Sequence, residues 1–489
     1  MSTVRTRIAP SPSGFLHIGT AKTALYNYLF ARKHGGQFIL RLEDTDAERT
    51  DERFAQAMCA GFEWLGVLWD EGPDFGDQPA RGAFGPYRQS LRRELHRQEA
   101  LRLVDEGKAY KCFATKEEID AFREANPHGR FMSKWRDASA AEVAAMGEAS
   151  FVVRFRVPEG ETVIEDLIQG TVRTQNKEYD DFVILKPNGD PIFHLAVVVD
   201  DAHMKVTHII RGDDHLTNAA RHAMLFDALG FARPQFAHHP LVHDEQGKKF
   251  SKRLHGANVL DWREDGYLPE TIVNYVALLG WTSTEENREF FTRDELIEHF
   301  DIQRVTKSAA RFDRKKLDWL NGQHIRRLPL PAYRDRIVTI LRKHGFDVDS
   351  RDDAWLTRLA EITQEKLGTL NEIVLHSDFF FQDVSSYDEK GVNKLWAKED
   401  ALENMRQARE TLAGVVTWDH DTLYPAFQKL SESTGVGLGK YVNPVRLALT
   451  GKTVGPGLFE LAELLGKETC LARMERGIAH IQNLTPANE

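Results

Sequence analysis

The sequence predicts an α/β fold over its first two thirds and an all-helical remainder, on three observations. A short strand, a glycine-rich loop, an amphipathic helix and a second strand follow one another within about the first 45 residues. Strand and helix patterns recur as far as a helix closed by Gly230. Beyond about residue 325 the strand signals nearly vanish, and apolar residues recur at helical spacing.

The opening unit carries the first chemical signal. Arg5 to Ala9 reads as a strand, ended by Pro10 and Pro12, which cannot donate to a ladder. Residues 11–20, "SPSGFLHIGT", form a loop of glycines and small hydroxyls around His17. In the helix that follows, Ala21, Leu25, Tyr28 and Leu29 share a face, and Gly35 and Gly36 stop it. Residues 37–42, "QFILRL", give the second strand. In such a βαβ unit the loop sits where a parallel sheet opens toward its ligand. A helix starting near Gly19 offers free N–H groups and a positive dipole end there, which suits a phosphate. The dinucleotide pattern GxGxxG and the GxxxxGK[ST] loop are both missing, since Gly14 and Gly19 are followed by Thr20. His17 inside the loop suits an imidazole donating to a phosphate whose charge is changing. The alternative is a turn histidine with an incidental hydrogen bond.

Farther along, residues 112–150 are polar and helix-biased and read as an insertion into the sheet. "FVVRFRV" alternates, with Phe151, Val153, Phe155 and Val157 on one side and Arg154 and Arg156 on a basic outer face. "DDFVILKPNGDPIFHLAVVVDD" predicts two apolar strands around a turn at residues 187–190. "THIIRGDDH" predicts a strand and polar loop, and "LTNAARHAMLFDALG" a helix closed by Gly230. In the last third, Leu402, Met405 and Leu412 recur at helical spacing, as do Leu471, Met474, Ile478 and Ile481. "SDFFF" and "LTGKTVGPG" are expected to separate helices there.

Composition bounds the function. A chain of 489 residues allows two to four domains. The net charge of −10, from 64 basic and 74 acidic residues, counts against indiscriminate nucleic-acid binding but permits a local basic surface. No run approaches the ~20 apolar residues of a membrane span, and "MSTVRTRIAPS" lacks the apolar core of a secretory signal. The expectation is a cytoplasmic protein without a membrane partner. Cys59, Cys112 and Cys470 are far apart and odd in number, which argues against a disulfide framework or a cysteine-based zinc site.

A second phosphate element lies at residues 244–253, "DEQGKKFSKR", where three lysines, a serine and an arginine crowd a loop beginning at Gly247. Taken alone it could be a solvated turn. Together with His17 at a helix N-terminus, such a loop can grip one triphosphate from two sides, Lys252 meeting the charge that builds on a leaving pyrophosphate.

"HIGT" at His17 to Thr20 resembles the HIGH element, and "KFSKR" at Lys249 to Arg253 the KMSKS element, of class I aminoacyl-tRNA synthetases. "TRIAPSPSGFLHIGTAKTALYNYLFAR", "RLEDTD", "GPYRQS", "VVVDDAHMKVTHIIRGDDHLTN", "FDRKKLDWLNGQHI" and "ALTGKTVGPGLFELAELLGKE" extend the resemblance, over nearly the whole chain, to bacterial-type glutamyl-tRNA synthetases. The resemblance implies a Rossmann-type catalytic domain in two halves, residues 1–110 and 196–324, the second including a stem-contact region. It also implies an inserted acceptor-end-binding domain at 111–195 and an all-α anticodon-binding region at 325–489. It implies L-glutamate and ATP as substrates, Mg2+ with the ATP, tRNA(Glu) as acceptor with tRNA(Gln) left open, and a monomer. No nucleophilic residue is required.

Residue by residue, the family pattern assigns His17 to the α-phosphate and Gly19 to close approach of the nucleotide, with Thr20 in place of the usual second histidine. Lys249, Ser251 and Lys252 fall in the ATP-binding lysine loop, where Phe250 replaces methionine. Arg7 matches the arginine that meets the glutamate side chain, Arg211 the second arginine of the pocket, and Glu43 the partner of the ammonium. Ala9 and Ser11 line the same pocket. Phe193 stands where many relatives have a tyrosine. Arg154 and Arg156 are expected to contact phosphates at the acceptor end. Two rival readings are a small-molecule nucleotidyltransferase, which needs no helical third, and a catalytically dead RNA-binding homologue, against which His17, Lys252, Arg7 and Arg211 argue.

Some relatives hold zinc in the insertion through several cysteines and a histidine, whereas this insertion contains Cys112 alone. Elemental analysis of chelator-treated protein is therefore expected to find no stoichiometric zinc, with activity unchanged once Mg2+ is restored; a tightly held zinc would contradict this.

Overall fold

The opening segment folds as β1 (Arg5–Ile8), α1 (Ile18–Lys33) and β2 (Gln37–Leu40). The structure is a computed structural model and describes residues 3–46, 50–126, 129–248 and 258–484. β1 and β2 pair in parallel, Arg5 opposite Gln37 and Ile8 opposite Leu40. Ala21, Leu25, Tyr28 and Leu29 of α1 are buried. So are Lys22 and Asn27, because the helix is enclosed on more than one side. Asn27 Nδ2 donates to the Ile210 carbonyl at 2.8 Å and Lys22 Nζ to the Pro240 carbonyl at 2.7 Å. Both bonds tie α1 to the far side of the sheet.

Helices α2 (Glu52–Leu65) and α3 (Arg93–Asp105) precede β3 (Ala109–Cys112). The polar stretch after β3 forms α4 (Lys116–Ala125) and α5 (Ala140–Ala145). Each begins with a capping box, at Thr115/Glu118 and Ser139/Glu142, and neither buries a residue. Both are fixed at their N-termini, and α4 also sets Phe122 against the Phe131 ring, 5.3 Å between centroids. β4 (Val152–Phe155), β5 (Glu161–Asp166), β6 (Gly170–Gln175) and β7 (Val183–Leu185) follow. Next come α6 (Phe193–His203), β8 (His208–Gly212), α7 (Leu216–Ala228) and β9 (Gln235–His239).

β3, β4 and β7 make a separate antiparallel sheet. β8 and β9 pair in parallel, with Arg211 opposite His238, and β9 continues into β5 and β6. The parallel pairs meet where Thr207 N–H donates to the Arg5 carbonyl at 2.9 Å and Arg5 N–H to Thr207 Oγ1 at 2.8 Å. The C-terminal ends of β1 and β8 therefore open on the same side as the N-terminus of α1, the place where an α/β sheet binds its ligand.

Three expectations are corrected. The run "FHLAVVVDD" is not the second strand of a hairpin but most of α6; the turn itself pairs only its short flanks, through a Leu185–Pro191 bridge and the Lys186 N–H to Asp190 carbonyl and Ile192 N–H to Ile184 carbonyl bonds, before the chain turns helical. Residues 195–201 of α6 are all buried, so the helix shows no amphipathic period, and three consecutive valines then read as strand. Arg154 is not on an outer face: it is 8% exposed, donates to the Asp181 carbonyl at 2.6 Å and lies over the Phe131 ring. A guanidinium so enclosed is not a surface phosphate contact. Arg156 pairs with Asp137 at 2.8 Å. "SDFFF" does not separate helices but forms the last turns of the helix Ile373–Phe381.

Residues 1–263 with 269–314 form one compact unit, and 264–268 with 315–489 a second. The described part of the second unit is helical, including Ala401–Gly414, Gly439–Thr450 and Lys467–Leu484. Met405, Leu412, Leu447, Met474 and Ile481 lie in its core. Cys59, Cys112 and Cys470 are all free and buried, and burial pushes the Cys59 and Cys470 thiols up to about 12. Among the described residues no helix is long and apolar enough to cross a membrane.

Gly36 marks the tightest point of the α1–β2 connection. A Cβ there would sit 2.2 Å from the Val4 carbonyl oxygen, which accepts from Gln37 N–H at 2.8 Å. Backbone must shift to admit it. Gly36→Ala is expected to destabilise the protein by about 2 kcal/mol, read as a lower denaturation midpoint; an unchanged midpoint would show that the turn has slack.

Candidate functional site

A cavity of about 650 Å³ opens at these strand ends. Of the residues singled out from sequence, Arg7, Ala9, Ser11, His17, Gly19, Thr20, Glu43, Phe193 and Arg211 all line it. Lys249, Ser251 and Lys252 lie outside the described residues. Lys22, Gln89, Asp214, His215 and His239 also line it and were not assigned a role from sequence. Gln89, Asp214 and His215 fall within "GPYRQS" and "RGDDH", so the motifs were visible where the individual side chains were not. Nothing in a local pattern marks Lys22 or His239.

His17 is itself the N-cap of α1, with extended backbone at φ −98° and ψ 163°. Its Nδ1 accepts from Thr20 N–H at 3.3 Å, and its Nε2 lies 3.0 Å from Thr20 Oγ1. An acceptor Nδ1 puts the proton on Nε2, which donates to the hydroxyl. A Cβ on Gly19 would come within 3.2 Å of the imidazole, so glycine leaves the ring room to fold over the helix end. With the ring turned onto Thr20, the Thr20 hydroxyl and the helix terminus are the donors brought to the cavity beside the imidazole.

The charged floor is a buried row of alternating sign. Arg7 Nε donates to Asp201 Oδ1 at 3.1 Å, Arg41 Nη1 to the same oxygen at 2.6 Å, and Arg41 Nη2 to Glu43 Oε1 at 3.0 Å. Burial works against the Asp201 charge, yet Arg7 and Arg41 hold its carboxylate below the usual range. For Glu43 burial prevails over Arg41, and its carboxyl is pushed up. Asp200, the neighbour of Asp201, accepts from Arg92 Nε at 2.6 Å and Gln89 Nε2 at 2.8 Å, and lies 2.8 Å from His96 Nε2.

Arg211 is treated differently. Its Nε donates to His238 Nε2 at 3.0 Å, its Nη1 lies 3.2 Å from His222 Nδ1, and its Nη2 reaches the His215 carbonyl at 3.4 Å. Burial, with Arg7 as a like charge nearby, pulls its pKa down to about 9, still protonated at neutral pH. Phe193 opens α6 and is 38% exposed at the cavity, its ring 5.8 Å from that of His222. Without a hydroxyl it adds surface but no donor. Lys22 is held near 7 by burial, with Asp213 acting against that shift. A second cleft, about 510 Å³, lies among helices of the second unit; several of its carboxylates are already paired, as Glu361 and Glu463 are with Arg358.

The cavity thus brings two buried guanidiniums, the carboxyls of Glu43, Asp46 and Asp214 and an imidazole-capped helix end together at the carboxyl ends of parallel strands, where α/β folds bind their ligands. Residues 3–319 match the family described as tRNA synthetases class I (E and Q), catalytic domain, and residues 327–478 match an anticodon binding domain. Relatives include the glutamate–tRNA ligase of Moorella thermoacetica, 41% identical over 99% of both chains. That of Desulforudis audaxviator is 42% identical over 100% of this chain and 99% of its own. A crystal structure of a glutamate tRNA ligase from Elizabethkingia meningosepticum in complex with its amino acid superposes with a TM-score of 0.88 at 31% identity. It covers 98% of this chain and 100% of that one. The chain belongs to the glutamate–tRNA ligase family.

Removing the central anion of the floor should be costly. Asp201→Asn leaves two buried guanidiniums facing an amide and is expected to lower stability by about 3–5 kcal/mol at neutral pH. Because the folded carboxylate is held below its unfolded value, this contribution is present above pH ~4 and is lost as pH falls through the depressed value. Denaturant melts of both proteins at descending pH should converge; a constant gap would place the effect elsewhere than in the charge.

Proposed function

We propose that the cavity takes L-glutamate and ATP and that the protein joins them as glutamyl-adenylate, releasing pyrophosphate. The observation that carries this reading is the charge layout: the cavity sets Arg7, Arg211 and Lys22 against Glu43, Asp46 and Asp214 beside a helix N-terminus capped by His17, and Arg7, Arg211 and Glu43 offer two guanidiniums and a carboxyl to an amino acid. Glutamate presents the complement, two carboxylates and an ammonium. An α-carboxylate oxygen attacks the α-phosphorus as the bond to the bridging β-phosphate oxygen breaks. A hydroxyl of the terminal ribose of tRNA(Glu) then attacks the activated carbonyl, and AMP leaves. The protein supplies position and charge.

In this reading Arg7 faces the side-chain carboxylate, Arg211 the α-carboxylate, and Glu43 the ammonium, with Ala9 and Ser11 completing the wall. His17, Gly19 and Thr20 attend the α-phosphate, and Lys249, Ser251 and Lys252 the departing pyrophosphate. Mg2+ comes in as the counter-ion of the triphosphate. The insertion at 111–195 receives the acceptor end and residues 325–489 the anticodon. Monomeric state and cytoplasmic location belong to the same reading.

The test is amino-acid choice. A neutral amide against Arg7 lacks the counter-charge, a mismatch worth ~3–5 kcal/mol and so on the order of 10²–10³-fold in rate. Arg7→Gln is expected to lose most glutamate activation while glutamine activation falls far less. Arg211→Gln should damage both amino acids about equally. The measurement is kcat/KM for each amino acid with tRNA present. Comparing the two within one variant cancels any loss of folded protein from freeing Asp201. Equal losses in Arg7→Gln would remove Arg7 as the selector.

A further inference from the structure

Arg7 and Arg211 are both buried in one cavity, 3% and 6% exposed, but only Arg7 has a carboxylate partner. Among the described residues the polar partners of Arg211 are two imidazole nitrogens and a carbonyl. A guanidinium has donors and no acceptor, so each nitrogen that meets it must be unprotonated. His238 must therefore carry its proton on Nδ1, which lies 2.6 Å from Asp166 Oδ2. His222 must carry its proton on Nε2, which lies 3.1 Å from His194 Nδ1. Both contacts suit that assignment. Arg211 thus dictates the tautomers of a chain that runs to Asp166 on one side and to His194 on the other.

The surroundings keep these rings neutral. His222 and His238 are fully enclosed, and the charged or titratable groups that bear on them are Arg211, Arg7, His194, His215 and Asp166. Burial, followed by Arg211, holds His222 well below its ordinary value. Asp166 is occupied by the N–H groups of Ile168 and Gln169 as well as by His238, and does not touch the guanidinium.

We propose that His222 and His238 are positioning residues that fix Arg211 through neutral acceptors, so that Asp201, Glu43 and Asp166 act on its charge only from a distance and the contact position is left for a carboxylate of the amino acid. This rests on the reading above in which Arg211 meets substrate. A carboxylate at either position would aim the guanidinium equally well and at the same time neutralise it. An imidazole aims it without competing. Selection at this point is for an acceptor that carries no charge.

The experiment uses full-length His222→Asn, His222→Leu, His222→Asp and Arg211→Gln. Each is assayed for glutamate KM, ATP KM and kcat with tRNA, and for melting temperature. The asparagine carbonyl can occupy the place of Nδ1, so glutamate KM is expected within ~3-fold of wild type. Leucine removes the acceptor and should raise it ~10-fold. Aspartate supplies a competing anion and should raise it most, ~100-fold, with ATP KM little changed and no matching loss of melting temperature. If aspartate is no worse than asparagine, charge competition is refuted. If the aspartate protein does not fold, the contrast of asparagine with leucine decides; equal KM values for those two overturn the proposal. A fall in kcat and melting temperature without movement of KM would leave His222 only a packing role and also overturn it. Arg211→Gln separates the two levels. An unchanged glutamate KM there sinks the reading of Arg211 itself, whereas a raised KM there with an insensitive His222 series sinks this inference alone.

Discussion

Asp201 joins two buried arginines, Arg7 and Arg41, and the architecture of the cavity hangs on it. It stands near the end of α6, while Arg7 belongs to β1 and Arg41 follows β2. One side chain therefore locks a helix to the edges of two parallel strands. Asp200 repeats the arrangement toward Arg92 and His96. Arginine and aspartate this enclosed are stable only as a set, because removing either partner strands a charge in a medium that cannot solvate it. The same constraint makes the floor stiff. Arg7 can turn toward a ligand only within the reach that Asp201 allows.

Set against that floor, the two arginines of the pocket solve different problems. Arg7 is electrically satisfied, so a ligand carboxylate there joins an existing pair and is judged by fit. Arg211 is held by neutral rings, and its depressed pKa records how poorly its charge is accommodated. In the proposed function, an anion at Arg211 relieves a penalty already built into the fold, which is a source of affinity separate from any new contact.

The helix-end side of the cavity was legible in sequence because it is local: His17, Gly19 and Thr20 are within one turn of each other, and the strand–loop–helix order alone sends them to the sheet opening. Arg7, Glu43 and Arg211 were reached through family resemblance, since no spacing rule connects residues some 200 positions apart. The burial of Arg154 beneath Phe131 was not legible, because strict alternation in a strand says which side a residue takes but not whether that side meets solvent. Nor was α6, whose uniform burial erases the periodicity on which a helix assignment depends. Asp201 and His222 escaped for a related reason. Each acts through another residue, and such partnerships exist only after the chain has folded.

The buried cysteines carry a practical consequence. A thiol attacks disulfides and alkylating reagents as the thiolate, and the folded protein withholds that form twice over at Cys59 and Cys470, by enclosing the sulfur and by pushing its pKa up. The native chain is accordingly a poor substrate for oxidation and becomes a reactive one when it opens. Because Cys59 lies in the first unit and Cys470 in the second, each unit contains its own built-in chemical clock. The rate at which each sulfur becomes labelled counts the openings of the unit that shelters it.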